Sequence, residues 1–299
     1  MSQDNFISFP SPAKLNLFLH VVGQRPNGYH ELETVFQFLN YGDTIELSTH
    51  KLNNNIDILT PIIGVKNTDN LIYKAAKILQ DQINFDCGVK IKINKILPMG
   101  GGLGGGSSNA ATILLALNKL WGINLPIHKL AELGLSLGAD VPIFIHGYAA
   151  FAQGIGEVLT PINPVEHWYL VAKPDCSIST QDVFGSVDLV RNTPKLLLNN
   201  TSSNLADEIN IQNCHNDCET IVIKNYPKVA KLLAWLVEYA PSRMTGTGAC
   251  IFSRFSSESE ARVVQSKLPE GIESFVAKGI NQSPLIDVVN NLVNEKYEF

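Results

Sequence analysis

The sequence has 299 residues, which is long enough for two domains of ordinary size. Hydrophobic residues make up 45% and charged residues 17%, as in an ordinary globular protein, and the net charge of −5 argues against a nucleic-acid-binding surface, which usually has a basic excess. The five scattered cysteines do not suggest a disulfide framework, and we find neither a secretory signal nor an apolar run long enough to span a membrane. We therefore expect a cytoplasmic protein with no nucleic-acid or membrane partner.

The first predicted element is a strand over residues 12–22, in which leucine and valine alternate with mostly polar residues. Lys14 is the only charged residue between positions 10 and 18. It is either an ordinary exposed strand lysine or a cation that stabilises negative charge on a phosphoryl group during transfer.

Turn signals and an aromatic pair follow this strand. Asn27 and Gly28 predict a turn, and residues 41–43 predict a second one that leads into a strand over 44–47. Tyr29 and His30 lie directly after the first turn. An aromatic ring beside a hydrogen-bonding ring suits recognition of a nucleobase, although His30 alone could be an ordinary loop histidine.

A glycine-rich loop is the most informative feature of the chain. An amphipathic helix after Asn70 and an alternating strand over 89–93 precede it, and an apolar helix over 110–120 follows it. Glycine lets backbone N–H groups approach a ligand closely, and a helix N-terminus adds unpaired N–H donors. The order strand, loop, helix therefore predicts a cradle for nucleotide phosphates. Its predicted residues are Pro98, Met99, Gly100, Gly101, Gly102, Leu103, Gly104, Gly105, Gly106, Ser107 and Ser108.

Other kinds of loop fit this segment less well. A Walker A loop requires a lysine, which is absent here. Gly100, Gly102 and Gly105 match the dinucleotide-binding pattern, but no acidic residue follows in residues 120–125. A flexible linker is the remaining alternative, and a linker rarely separates so regular a strand from so regular a helix.

Asp140 is the second candidate for chemistry. It follows a predicted helix over 126–137 and is surrounded by small and apolar residues. It could cap a helix, form a structural ion pair, or act as a base that orients and deprotonates a hydroxyl group. The segment Gly154-Ile155-Gly156 suggests a boundary between domains at 1–155 and 156–299.

The second half of the chain mixes strands and helices. Strands are predicted over 169–172 and 249–252 and helices over 229–237 and 285–293, with loops over 193–216. The small loop 245–248 could close over a phosphate, although alone it would be an ordinary turn. The cysteines and histidine of 214–218 are a weak match to a zinc site. This irregular alternation favours an α+β fold.

These motifs together resemble the GHMP small-molecule kinases. The family combines a lysine-bearing N-terminal strand, a loop of the form P-x-x-x-G-L-G-G-G-S-S-N and a late glycine-containing segment, matched here by Lys14, 98–109 and 245–248. The resemblance extends over about 9–284. Within the family, residues 13–16 and the pair Tyr29 and His30 are similar to those of members that act on a cytidine-diphosphate-linked methylerythritol.

The resemblance implies an N-terminal domain of the ribosomal protein S5 domain 2-like type, a C-terminal GHMP domain and a site between them. It implies ATP on the glycine loop, Mg²⁺ with an undetermined ligand set, and catalysis by Asp140 and Lys14. It also implies a small-molecule substrate, bound by Asn16, Tyr29, His30 and Phe184. A mevalonate- or homoserine-type kinase and a non-catalytic nucleotide-binding module remain as alternatives.

Overall fold

The computed structural model describes residues 5–51, 53–61, 64, 66–83, 86–198 and 205–292. The strands are β1 (Ile7–Gln24), β2 (His30–His50), β3 (Ile56–Ile58), β4 (Gly88–Asn94), β5 (Ala150–Gly154), β6 (Val158–Pro161), β7 (Trp168–Lys173), β8 (Ser242–Met244), β9 (Ile251–Phe255) and β10 (Glu273–Ile280).

The helices are α1 (Leu71–Gln80), α2 (Gly105–Leu120), α3 (Ile127–Leu137), α4 (Val141–His146), α5 (Thr180–Gly185), α6 (Leu205–Glu208), α7 (Asp217–Asn225), α8 (Pro227–Val237), α9 (Glu258–Gln265) and α10 (Pro284–Asn291). The mixed α+β content is as predicted. Among the described residues, no helix is long and apolar enough to cross a membrane.

The strands form one sheet in the order β3-β4-β2-β10-β7-β9-β8. β1 pairs antiparallel with β2 along nearly its whole length, and β5 and β6 extend the sheet from β2. β10 pairs with both β2 and β7, so it joins the first and last parts of the chain. This pairing brings β1, which carries Lys14, close to loops from the second half.

Within the described ranges, three apolar cores fix this arrangement. The first packs α1, α2, α3, α4 and α10 against β2 and β4, and the second packs α7, α8 and α9 against β7 and β9. The third lies between β1 and β7 and includes Leu15, Leu103 and Cys250. Because Leu103 belongs to the glycine loop, this third core anchors the loop to β1. The boundary at 155/156 stays a prediction.

The predicted turn at 41–43 is wrong, because β2 runs through these residues without a break. A β-carbon on Gly42 would lie 2.2 Å from the carbonyl oxygen of Ser11 on β1. Glycine is therefore required here for the close approach of two strands. Asp43 is buried beside Gly42 and bonds to Lys95 and to backbone N–H groups beyond β4.

Most other predicted elements are confirmed, with shifted ends. Gly28 has a positive φ of 87° in the predicted turn, and the side chain of Asn70 accepts a hydrogen bond from the N–H of Ile72 at the start of α1. The strand predicted over 249–252 begins at Ile251 instead. The predicted terminal helix is α10, and its proposed last residue, Val293, lies outside the described residues.

Candidate active site

Lys14 lies on β1 where a bulge interrupts the pairing with β2. Its side chain is only 3% exposed, so it is not an ordinary surface lysine. The ammonium Nζ lies 2.6 Å from Oδ1 of Asn16, 3.2 Å from the carbonyl oxygen of Gly102 and 3.2 Å from Oδ2 of Asp140. One cation therefore connects β1, the glycine loop and the segment between α3 and α4.

Asp140 directly precedes α4, but its side chain caps no helix N–H group. The capping alternative is therefore wrong, and the ion pair with Lys14 is present. The side chain of Asp140 is 37% exposed, and it opens into the same cleft as Lys14. A carboxylate that contacts a buried cation and is still open to a ligand can accept a proton from a bound hydroxyl group.

The glycine loop has positive φ angles at alternate residues, Gly100, Gly102 and Gly104. A β-carbon on Gly102 would lie 2.2 Å from the carbonyl oxygen of Thr245, and one on Gly104 would lie 2.8 Å from Cζ of Phe144. These two glycines are therefore required by both backbone conformation and space. Gly104 is the residue before α2, so the loop ends at a helix N-terminus, where N–H groups are free to bind an anion.

Two buried polar groups brace the loop. The carboxylate of Asp43 accepts hydrogen bonds from the backbone N–H groups of Ile96 and Leu97 at 2.9 and 2.8 Å and pairs with Lys95 at 2.6 Å. On the other side, the hydroxyl of Ser11 lies 2.8 Å from Oγ of Ser108. These contacts fix the loop before any ligand arrives.

A cleft of about 310 Å³ collects the predicted groups. Its lining includes Lys14, Asn16, Ser107, Asp140 and Phe184. Of the predicted loop residues, Gly100 and Gly102 also line it, whereas Met99 is exposed and Ser108 is buried. A larger cavity of about 620 Å³ lies elsewhere, but it contains neither the glycine loop nor Asp140.

The second small loop, 245–248, closes one side of this cleft through Gly246, Thr247 and Gly248. The hydroxyl of Thr245 accepts a hydrogen bond from the backbone N–H of Asn16 at 2.9 Å. Buried Asn216 donates to the carbonyl oxygen of Gly246 at 2.8 Å and holds the loop from behind. Sequence reasoning missed Asn216, since its partner is 30 residues away and no motif marks it.

The predicted base-recognition residues lie around the start of β2. His30 is buried, and its ring stacks on Phe184 with 5.0 Å between ring centroids and 25° between ring planes. Phe184 lines the cleft, but neither Tyr29 nor His30 does, and Tyr29 is 58% exposed. The structure thus brings His30 and Phe184 together and leaves Tyr29 at the surface.

Arg191 is a residue of this region that sequence reasoning missed. Its Nε donates a hydrogen bond to Nε2 of His30 at 3.0 Å. Burial, and then the charge of Arg191, lowers the pKa of His30 below its usual 6.5, so this imidazole is neutral at pH 7. The only available signal was that Arg191 is the single arginine between Arg25 and Arg243.

No group of three or more metal-binding side chains occurs in the described ranges. Cys214 and Cys218 are free, buried thiols. The weak zinc interpretation of residues 214–218 therefore gains no support. The hydroxyl of Ser107 and the carboxylate of Asp140 are two oxygen ligands that the cleft lining offers to a metal ion.

Comparison with protein families places two matches on the chain. The family model described as GHMP kinases N terminal domain matches residues 70–148, and the model described as GHMP kinases C terminal matches 195–273. The first match contains the glycine loop and Asp140, and the second contains the loop 245–248.

Similar proteins match nearly the full length of the chain. A 4-diphosphocytidyl-2-C-methyl-D-erythritol kinase from Colwellia psychrerythraea is 63% identical over 96% of this chain and 94% of its own length. The protein with the same name from Haemophilus influenzae is 52% identical over 96% of this chain and 89% of its own length. A crystal structure of 4-(cytidine 5'-diphospho)-2C-methyl-D-erythritol kinase superimposes with a TM-score of 0.77 at 28% identity, over 91% of this chain and 99% of that one.

Proposed function

The chain belongs to the GHMP kinases, and from that premise we propose how its residues transfer the γ-phosphoryl group of ATP. The acceptor is the 2-hydroxyl group of 4-diphosphocytidyl-2-C-methyl-D-erythritol. The products are the 2-phosphate and ADP, in the non-mevalonate pathway to isoprenoid precursors. One observation carries the assignment of residues, namely that Lys14, Asp140 and the glycine loop meet in a single cleft.

Asp140 has the role of general base. An aliphatic alcohol is too weak an acid to ionise at neutral pH, so its proton must be accepted as the bond to phosphorus forms. The carboxylate of Asp140 is partly exposed to the cleft and caps no helix, so it is available for that proton. Its contact with Lys14 fixes its position before the alcohol binds.

Lys14 and the loop stabilise the charge on the transferring group. Phosphoryl transfer depends mainly on positioning and on neutralisation of oxygen charges. The ammonium of Lys14 lies 3.2 Å from the carbonyl oxygen of Gly102, so a phosphate held by the loop lies within its reach. The backbone N–H groups at the N-terminus of α2 are additional, neutral donors. They can bind phosphate without changing the net charge of the protein.

Mg²⁺ fits the donors of this site as a partner of the nucleotide. The ion prefers oxygen ligands and is usually held by substrate phosphates with only one or two protein groups. Ser107 supplies a hydroxyl in the cleft, whereas Ser108 is buried against Ser11 and is the poorer candidate. Bound there, the ion would neutralise charge on the phosphate oxygens.

The cytidyl group is assigned to the region of His30 and Phe184. Phe184 offers an aromatic face to the cleft, and His30 packs behind it. Among the described residues, Nδ1 of His30 has no hydrogen-bond partner, whereas Nε2 is bonded to Arg191. Tyr29 is exposed next to His30, where it can cover the opposite face of a bound base. Asn16, which contacts Lys14, is assigned to the polyol part of the substrate.

The test is product formation by the purified protein. ADP release should require the cytidyl substrate, and ³¹P NMR of the product should show a new phosphomonoester on the 2-oxygen. Methylerythritol 4-phosphate, mevalonate and homoserine serve as matched acceptors and should react about 10⁴-fold less efficiently, because buried partners of the cytidyl group would be left unpaired. Equal kcat/KM for the cytidylated and uncytidylated acceptors would contradict the proposal and favour a general small-alcohol kinase.

A further inference from the structure

Arg191 makes an unusual set of contacts for a single side chain. Besides the hydrogen bond to Nε2 of His30, its Nη1 donates to the carbonyl oxygen of Leu189 at 3.0 Å. Its Nη2 donates to the carbonyl oxygens of Phe184 and Ser186 at 3.0 and 2.8 Å. One guanidinium group therefore holds the end of α5 and the ring of His30 at the same time.

The contact with His30 determines where the imidazole proton is. Arginine remains protonated and can only donate, so Nε2 of His30 must present a lone pair. The ring of His30 is neutral, since burial and the nearby positive charge disfavour its protonation. A neutral imidazole whose Nε2 accepts a hydrogen bond carries its proton on Nδ1.

Nδ1 of His30 is free to use that proton on a ligand. It has no hydrogen-bond partner in the described part of the chain. It also differs from Nδ1 of His20 and His50, which are fully sealed from solvent and have no partner. Because Phe184 stacks on the ring of His30, the free N–H lies beside an aromatic face that lines the cleft.

We propose that Arg191 is a positioning residue that holds His30 in the Nδ1–H tautomer and thereby makes the site selective for a base whose N3 is a hydrogen-bond acceptor. This inference rests on the proposed function and extends it to the choice of base. Cytosine has acceptors at N3 and O2, whereas uracil carries a hydrogen on N3. The N–H at Nδ1 can donate a hydrogen bond to N3 of cytosine. In uracil, N3–H is itself a donor, so the two donors face each other and the hydrogen bond is lost.

The first experiment needs no substrate. ¹⁵N NMR of the histidine side chains should show His30 with a protonated Nδ1 and an unprotonated Nε2, and a His30→Gln sample assigns the signal. In Arg191→Met the signal should shift toward the Nε2–H tautomer, which free imidazole prefers. A wild-type His30 in the Nε2–H tautomer, or an imidazolium at pH 7.5, would overturn the proposal whether or not the protein is a kinase.

The second experiment measures selectivity. In Arg191→Met, KM for the cytidyl substrate should rise by about 10-fold or more, while kcat and KM for ATP stay near the wild-type values. The ratio of kcat/KM for cytidyl over uridyl substrate should fall by a similar factor, and Arg191→Lys should restore part of it. Arg262→Met removes an exposed arginine of α9 and is the matched control.

Two outcomes would contradict the proposed role of Arg191. An unchanged cytidyl-to-uridyl ratio in folded Arg191→Met would remove Arg191 from recognition. A fall in kcat together with a rise in KM for both ATP and the cytidyl substrate would assign Arg191 a purely structural role. If Arg191→Met does not fold, Arg191→Lys and the wild-type NMR signal decide the question. If the wild type phosphorylates neither nucleotide-linked substrate, the proposed function fails and the NMR result still reports on the tautomer.

Discussion

At the scale of single residues, the site depends on a buried cation with three oxygen partners. The ammonium of Lys14 contacts Asn16, Gly102 and Asp140, which come from separate parts of the chain. Burial of a charge is costly unless it is paired and hydrogen-bonded, and these contacts satisfy that requirement. The same contacts hold the carboxylate of Asp140 near the loop that is assigned to the phosphates.

Lys14→Met should therefore lower kcat by about 10²-fold or more, because it removes the charge that stabilises the transferring group and releases Asp140. Steady-state kinetics at saturating ATP checks this, with thermal unfolding to confirm the fold. Lys77→Met, on the exposed face of α1, is the matched control and should keep wild-type activity. A rise in KM for ATP with unchanged kcat would make Lys14 a binding residue only.

Prediction from the sequence succeeded for residues with local motifs and failed for residues with distant partners. Lys14 and Asp140 were found because a charge stands out among apolar neighbours. Arg191 was missed because its partner, His30, is 161 residues away. The exposure of Tyr29 was equally unpredictable. The turn signal before it does not show whether Tyr29 or His30 points toward the core.

At the scale of elements, glycines of the loop have separable roles. Gly102 allows contact with the backbone of Thr245, whereas Gly104 fits between Phe144 and Lys14 at the start of α2. The pattern of glycines predicted a phosphate cradle, but only the packing shows which positions tolerate no side chain. The turn at 41–43 was wrongly predicted for the same reason. Gly42 is needed because β1 and β2 approach closely there, and the residues next to it in the sequence do not show this.

Gly104→Ala should raise KM for ATP, because a β-carbon would lie 2.8 Å from Cζ of Phe144 and 3.0 Å from Cε of Lys14 and would displace the loop. Gly122→Ala is the matched control, since Gly122 has nearly the same φ, 70° against 71°, with nothing within 4 Å of a β-carbon. Both variants have the strain of a left-handed conformation, so stability should fall in both. Equal ATP affinity in both variants would mean that the loop position does not control nucleotide binding.

At the scale of the whole molecule, the cleft exists because β1 and β10 bring the two halves of the chain together. β10 pairs with β2 and with β7, and the third core packs β1 against β7. Sequence patterns predicted strands in β1, β2 and β7 but not these pairings, which join residues 100 or more positions apart. The α+β class and the GHMP fold were predictable, and the single continuous sheet was not.

The free energy of unfolding should decrease as pH falls below about 6.5. Burial is the main cause that lowers the pKa of His20, His30 and His167. Arg191 adds to the lowering at His30 and Arg254 adds to it at His167, whereas at His20 the effect of His215 is opposed by Asp217. Between those lowered values and 6.5, the unfolded chain binds protons that the folded chain does not, so acidification favours unfolding. Urea denaturation from pH 7.5 to pH 5.5 measures this.

His20→Gln should reduce the slope of stability against pH, whereas the same substitution at exposed His128 should leave it nearly unchanged. If stability falls equally steeply with pH in the wild type, His20→Gln and His128→Gln, the acid sensitivity belongs to other groups. A stability that rises toward pH 5.5 would contradict the sign derived from the histidines.

The most direct test of the central claim is the single-turnover rate of Asp140→Asn with ATP and the cytidyl substrate, measured by rapid quench. Asparagine keeps the shape of the side chain but cannot accept the proton, so the rate should fall by about 10²–10⁴-fold while ATP affinity stays near wild type. Asp81→Asn, on the surface after α1, is the control and should react normally. A near-normal rate in folded Asp140→Asn would contradict the account, because the proton of the alcohol would then leave without this carboxylate.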